Sequence, residues 1–302
     1  MVNNGIRLYG AIEAGGTKFV CAVGDHDGRI LDQVRIDTRA PAATLSDVCG
    51  YFNAANLNFG GLTSIGLGAF GPVDLNPKSA TYGFITSTPK PGWKNTDLAG
   101  ALRDGIHLPV YLDTDVNAAA LGELRWGAGQ SLDSIAYVTV GTGIGVGVVH
   151  HGRPVHGLMH PEIGHVFVRR HAGDTSFTGS CPFHGDCLEG LASGSAIMAR
   201  TGRALNETPP TDPMWDIEAD YLGQLCALLV LTHSPQRILM GGGVMQPRLL
   251  ADVAVRMLRT LNDYVGAREL RDAHYVSAPG LGGSAGIRGA LSLAISAGGL
   301  GI

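Results

Sequence analysis

The sequence predicts an α/β protein built from two related lobes. Strand-like and helix-like segments alternate along most of the chain, and one strand, Gly-rich turn, strand unit occurs twice. Glycine, at 45 of 302 residues, falls in clusters directly after apolar runs, where it serves as a backbone device and not as a linker. The first unit covers residues 9–23, with its turn at Gly15-Gly16-Thr17, followed by a second turn at Asp27-Gly28-Arg29 and another short apolar strand. The second covers residues 135–149, with its turn at Gly141-Thr142-Gly143 and a following turn at His151-Gly152-Arg153.

Between the units, Ser64-Ile-Gly-Leu-Gly-Ala-Phe and Val110-Tyr-Leu-Asp-Thr-Asp read as strands. The latter runs into Asn117-Ala-Ala-Ala-Leu-Gly-Glu-Leu-Arg, a helix start in which Asn117 is expected to cap the first backbone N–H groups. Residues 150–190 are irregular and rich in His, Gly and Cys. A long helical region follows and includes 220–233, then a strand, Arg237-Ile-Leu-Met, meets Gly241-Gly242-Gly243. The Ala-rich stretch 287–296 predicts a terminal helix.

Composition removes several function classes. With 45% hydrophobic and 16% charged residues and a net charge of −4, the chain reads as compact and suits neither a nucleic-acid partner nor a polybasic membrane role. The opening Met-Val-Asn-Asn-Gly-Ile-Arg lacks a signal-peptide core, and no apolar stretch of roughly 18 residues occurs, so the expected location is cytoplasmic. Five cysteines are odd in number and too few for a disulfide scaffold.

Gly-rich turns after strands attract phosphates because bare backbone N–H groups approach oxygen anions closely. Three such turns, Gly15-Gly16-Thr17-Lys18, Gly141-Thr142-Gly143 and Gly241-Gly242-Gly243, point to a nucleotide held between lobes. Neither familiar alternative fits. Gly10 and Gly15 have the gap of a P-loop, but Gly16-Thr17 follows where Lys-Ser/Thr is required. The Gly141 run alternates with Val and Ile in strand fashion, so it does not open the helix of a dinucleotide fingerprint.

Asp113-Thr114-Asp115-Val116-Asn117 stands where a strand ends and a helix begins. Phosphoryl transfer to an alcohol needs positioning, charge neutralisation and a base for the hydroxyl proton. A carboxylate there suits the base, and with Asn117 free to cap, Asp115 takes that role. The densest constellation is Glu162-Ile-Gly-His165 followed by Cys181-Pro-Phe-His184-Gly-Asp-Cys187-Leu-Glu189. A Cys-x2-His-x2-Cys run with an upstream His supplies four ligands for a closed tetrahedral Zn²⁺ site, with His160 and His171 as rivals for the fourth position. A Cys181–Cys187 disulfide is the alternative.

Together these residues resemble the ROK family of bacterial sugar kinases, most closely its zinc-containing fructokinase branch. The likeness rests on Glu13-Ala-Gly-Gly-Thr-Lys-Phe-Val-Cys-Ala-Val-Gly, the run from Asp115, Val-Gly-Thr-Gly-Ile-Gly from Val140, His160-Pro-Glu-Ile-Gly-His, the Cys/His cluster and Gly-Gly-Gly-Val-Met from Gly241. It implies a duplicated actin-like or ribonuclease-H-like ATPase fold with two lobes and a cleft. The expected lobes are 1–117, completed by a C-terminal helix 285–302, and 118–284. The resemblance implies ATP with Mg²⁺, a base at Asp115, and structural zinc at His165, Cys181, His184 and Cys187. It places sugar contacts at Gly71, Asn117, Glu162, His165 and Glu189. Nucleotide contacts would fall on Gly15, Gly16, Thr17, Lys18, Thr142, Gly143, Ser195, Gly241, Gly242, Gly243, Val244 and Met245. It also implies a homodimer.

Glu13 stands where many members have Asp, and His184 where many have Cys, both as in the fructokinase branch. Thr114 replaces the Asn that helps hold glucose, and Ser195 a frequent Pro. The lack of a helix-turn-helix extension before Glu13 argues against the family's repressors. Fructose is therefore the expected substrate, with glucose or mannose the runner-up and a catalytically silent sugar-binding regulator the reading from another class.

Overall fold

The structure, a computed structural model, describes residues 7–297. These fall into two compact units: 7–130, 152–160 and 283–297 in the first, 131–151 and 161–282 in the second. The first unit contains β1 (Leu8–Ala14), β2 (Lys18–Asp25), β3 (Ile30–Asp37), α1 (Pro41–Asn58), β4 (Ile65–Ala69), the short β5 (Phe84–Ile85) and β6 (Thr96–Asp97), α2 (Leu98–Ile106), β7 (Val110–Thr114) and α3 (Asp115–Trp126). There follow β8 (Ile135–Val140), β9 (Ile144–His150), β10 (Arg153–Pro154), α4 (Leu188–Ala192), α5 (Gly194–Thr201), α6 (Met214–His233), β11 (Arg237–Gly241), α7 (Pro247–Leu261), β12 (Val276–Ser277) and α8 (Ala285–Ala297).

The two main sheets repeat one plan. Their orders are β3-β2-β1-β4-β7 and β10-β9-β8-β11-β12, which is third, second, first, fourth, fifth strand in both. In each, the first two strands pair antiparallel and the fourth and fifth add in parallel on the other side. The repeated Gly-rich hairpin in the sequence is the first step of both copies.

Strand alternation divides the first unit's core into two layers. Ile12, Phe19 and Cys21 join Phe52, Ile65, Leu67, Trp93 and Leu102 on the α1 and α2 side. Tyr9, Ala11, Val20 and Ala22 face Ile287, Ala290, Leu291 and Ala294 of α8. Each fully buried large apolar side chain is worth about 1.5–3 kcal/mol, so both layers are needed to hold the sheet. The second layer is tight enough to demand glycine: a Cβ on Gly66 of β4 would run into the Ala290 carbonyl, and one on Gly289 into the Ala118 carbonyl of α3. In the second unit α7 turns a stripe of Leu249, Val253, Met257 and Leu261 inward and packs on α6.

Two local expectations change. Thr114, not Asn117, caps α3: its Oγ1 accepts the Asn117 N–H at 3.1 Å, because the helix starts three residues earlier than the alanine run indicates. The lobe boundary expected at 117/118 falls inside α3, and the first unit keeps the whole helix. Of the expected terminal helix 285–302, the last residues lie outside the described ones. No described helix is long and apolar enough to cross a membrane.

Candidate active site and metal-binding loop

Register collects the candidate groups of the first unit along one sheet edge. Ala14 pairs with Ala69, and Ala69 with Thr114. The Gly15–Lys18 turn, the Gly71 loop and Asp115 therefore all follow strands that end level with one another, the side where ligands bind in such sheets. The first turn is held by Gly15 N–H to the Lys18 carbonyl at 3.0 Å, and Thr38 Oγ1 donates to the Gly15 carbonyl at 2.8 Å. Thr17 and Lys18 are exposed.

Asp113 and Asp115 sit two positions apart and differ completely in setting. Asp113 is 3% exposed, and its Oδ1 accepts from Thr114 N and Asn117 Nδ2, both at 2.7 Å, while His156 Nε2 lies 3.1 Å from Oδ2. With both oxygens engaged, Asp113 is poorly placed to take a substrate proton. The hydrogen bond that His156 donates to Asp113 raises the pKa of His156, against the opposing effect of burial. Asp115 is held by backbone, with the Val116 N–H at 2.8 Å from its Oδ1. Its enclosed setting pushes its carboxyl up to about 7, the Val116 bond opposes this, and the nearby Glu13 carboxylate adds to it. A carboxylate poised near neutrality is suited to taking a hydroxyl proton. Glu13 is itself raised by burial, offset by Lys18, Arg35 and the Ile287 N–H.

Asn117 is buried with its amide committed to Asp113, so in this structure it supports its neighbour. Sequence reading passes over His156. Its linear signal is its place in a His-rich stretch, and the partner that gives it meaning, Asp113, lies on β7.

In the second unit the turn after β8, the start of α5 and the segment after β11 meet. Gly194 N–H donates to the Gly141 carbonyl at 2.7 Å and Val244 N–H to the Val140 carbonyl at 3.0 Å. A Cβ on Gly242 would strike the Val140 backbone, and its φ of 98° lies in the left-handed region that glycine alone adopts freely. Thr142, Gly143, Ser195 and Gly241 to Met245 are thus neighbours. Glu189 closes the group: its Oε2 accepts the Ile144 N–H at 2.9 Å, and a side chain on Gly143 would displace it.

Four ligand atoms of His165, Cys181, His184 and Cys187 lie within 4.8 Å of one another. His165 Nδ1 stands 3.5 Å from Cys187 Sγ and 3.7 Å from Cys181 Sγ, and His184 Nδ1 3.7 Å from Cys181 Sγ. Around a tetrahedral zinc, nitrogen and sulfur ligands stand about 3.6 Å apart, so the cage fits the ion. Both cysteines stand as free thiols in this structure. The rival histidines are engaged elsewhere: His160 Nε2 accepts the Val73 N–H at 3.1 Å, and His171 Nδ1 accepts the Gly173 N–H at 3.1 Å with Nε2 3.3 Å from Asp216. His165 Nε2 points toward Glu189 Oε1, 3.9 Å away, the kind of outer carboxylate that orients a ligating imidazole. Glu162 precedes His165 and is exposed.

Two sheets with the same strand order and Gly-rich turns at the strand ends define the duplicated, actin-like ATPase fold. Within that class the chain matches the ROK family over residues 9–297 and belongs to it. It is 43% identical over 300 residues to a fructokinase of Zymomonas mobilis, covering 98% of this chain and 99% of that one. It is 42% identical over 291 residues to a fructokinase of Pediococcus pentosaceus, covering 96% and 98%. Among solved structures, a ROK family glucokinase of Streptomyces griseus, in complex with glucose and AMPPNP, superposes with a TM-score of 0.71 at 26% identity, covering 97% of this chain and 100% of that one.

Proposed function

We propose that the chain is a fructokinase-type hexose kinase that transfers the γ-phosphoryl group of ATP to the 6-hydroxyl of D-fructose. The observation that carries this reading is its near end-to-end similarity to two fructokinases, set against the lower identity to a glucokinase. Asp115 takes the hydroxyl proton as the sugar oxygen bonds to the γ-phosphorus. The bond to the bridging oxygen breaks, and ADP leaves with the electron pair. Its raised pKa and its backbone-held carboxylate support Asp115 as this base over Asp113.

Glu162, His165 and Glu189 hydrogen-bond the sugar hydroxyls, and the Gly71 loop presents backbone to the sugar. The Gly15–Lys18 turn, Thr142, Gly143, Ser195 and the 241–245 segment hold the nucleotide through backbone N–H groups. Magnesium carried by ATP supplies charge neutralisation. Zinc held by His165, Cys181, His184 and Cys187 orders the loop that bears the sugar contacts, since four protein ligands leave no open position for chemistry. A cytoplasmic setting, where thiols stay reduced, and a homodimer complete the proposal. Coupled ADP release across a panel of hexoses tests it. Fructose-dependent turnover is expected, and no turnover with any hexose would overturn the kinase reading.

A further inference from the structure

A buried polar knot lies in the second unit, apart from the metal ligands. Asp174 is 3% exposed, and a carboxylate so enclosed is tolerated only with strong donors. Arg200 Nε donates to its Oδ1 at 3.1 Å and Arg200 Nη2 to Oδ2 at 2.9 Å, a bidentate pair. Tyr221 Oη donates to the same Oδ2 at 2.7 Å. Arg170 Nη1 donates to the Asp174 backbone carbonyl at 3.1 Å. Arg200 belongs to α5 and Tyr221 to α6, so one carboxylate ties the irregular segment to two helices.

The Arg200 guanidinium has a further contact. Its Nη2 donates to the Leu191 carbonyl at 2.7 Å, at the end of α4. Its Cζ lies 4.2 Å from the centre of the Phe177 ring, which covers it. Helix α4 has five residues, too few to hold a helix by its own hydrogen bonds, so outside contacts set its orientation. Its first turn carries Glu189. On α6, Glu218 is a second buried carboxyl whose oxygens lack a hydrogen-bond partner. Burial pushes it well above the usual carboxylate range, against the pull of Arg200, so the Arg200 charge is matched by Asp174.

We propose that Arg200, aimed by Asp174 and Tyr221, is a positioning residue that fixes α4 so that the Glu189 carboxylate meets the sugar. This rests on the reading of Glu189 as a sugar contact. Arg200 touches none of the four His/Cys groups, but Cys187 is the N-cap of α4, so zinc content is read beside the kinetics to separate the two effects. Lysine keeps the charge but loses the planar fork that serves Asp174 and Leu191 together.

The test is steady-state kinetics with fructose and ATP varied separately for Arg200→Lys, Tyr221→Phe, Glu189→Gln and the Arg200→Lys/Glu189→Gln double variant. Bound zinc and thermal midpoint are measured on each. Arg200→Lys is expected to raise KM for fructose about tenfold, keep KM for ATP within about twofold and retain zinc. Tyr221→Phe should move fructose KM the same way by about threefold, since one hydroxyl bond is lost. The double variant should bind fructose no worse than Glu189→Gln alone, because alignment of an absent carboxylate has no value. Unchanged fructose KM in Arg200→Lys and Tyr221→Phe would overturn the proposal, as would full additivity in the double variant. Should Arg200→Lys fail to fold, Tyr221→Phe decides the question in the same way. Glu189→Gln with unchanged fructose KM locates the failure in the sugar role of Glu189, and the proposal falls with it.

Discussion

The corner at the end of β7 and the loop that carries the His/Cys cage are ordered by different physics. At the corner, Asp113 to Asn117 are consecutive residues passing from strand to helix, and their mutual hydrogen bonds come with the backbone path. In the loop, His165 and Cys187 are far apart in sequence, and among the described residues the stretch between them has little regular structure. There the order comes from side chains: the His/Cys cage on one side and the Asp174 knot on the other. A backbone-built site survives loss of one side chain as geometry and fails as chemistry. A side-chain-built one fails as geometry first.

The largest effect should come from breaking the corner's chemistry alone. Asp115→Asn is expected to lower kcat by ~10²–10⁴ while the fold, fructose binding and zinc content stay as they are. Near wild-type turnover would remove Asp115 as the base.

Next comes the loop. Removing metal with a chelator, or replacing Cys187 by Ser, should cost residues 161–187 at least about tenfold in amide-exchange protection and leave the first unit's sheet unchanged, since metal binding there supplies local folding energy. Uniform loosening of the whole chain, or none, would contradict the contrast between the two regions. Protein never exposed to chelator should carry about one zinc per chain, because the four ligands form one closed site.

A smaller effect is the pH profile. Because the Asp115 carboxyl stands at about 7 and only its ionised form accepts a proton, kcat/KM should rise with pH and level off above about 7. The limb should be absent in the residual activity of Asp115→Asn. The smallest effect is on stability. A carboxyl whose folded pKa is raised holds its proton in the folded state where the unfolded chain has lost it, so its contribution weakens as pH rises from about 4 to about 7. Asp115→Asn should therefore gain in thermal midpoint relative to wild type across that window. A variant that loses ground there would show that burial does not strain this carboxyl.

Much of this is legible in sequence, for reasons that follow the same division. The repeated hairpin, the three Gly turns and the strand-to-helix switch at Asp115 are local patterns with local causes. The Cys-x2-His-x2-Cys run is visible because metal coordination fixes spacing. Cap identity is not legible: Asn117 and Thr114 are both good caps, and only the third dimension shows Asn117 turned to Asp113. The His156–Asp113 pairing and the Asp174–Arg200–Tyr221 knot leave no trace in linear spacing. Each joins residues from separate elements, and each is a single common residue until its partner is in place.

The central claim is the substrate, and a competition measures it directly. Fructose, glucose and mannose are offered together at limiting concentration with ATP, and the phosphorylated products and their carbon positions are identified. A site built to hydrogen-bond particular hydroxyls rejects sugars that leave its buried polar groups unpaired. Fructose 6-phosphate is expected to form fastest. Glucose 6-phosphate or mannose 6-phosphate clearly leading would contradict the fructokinase reading.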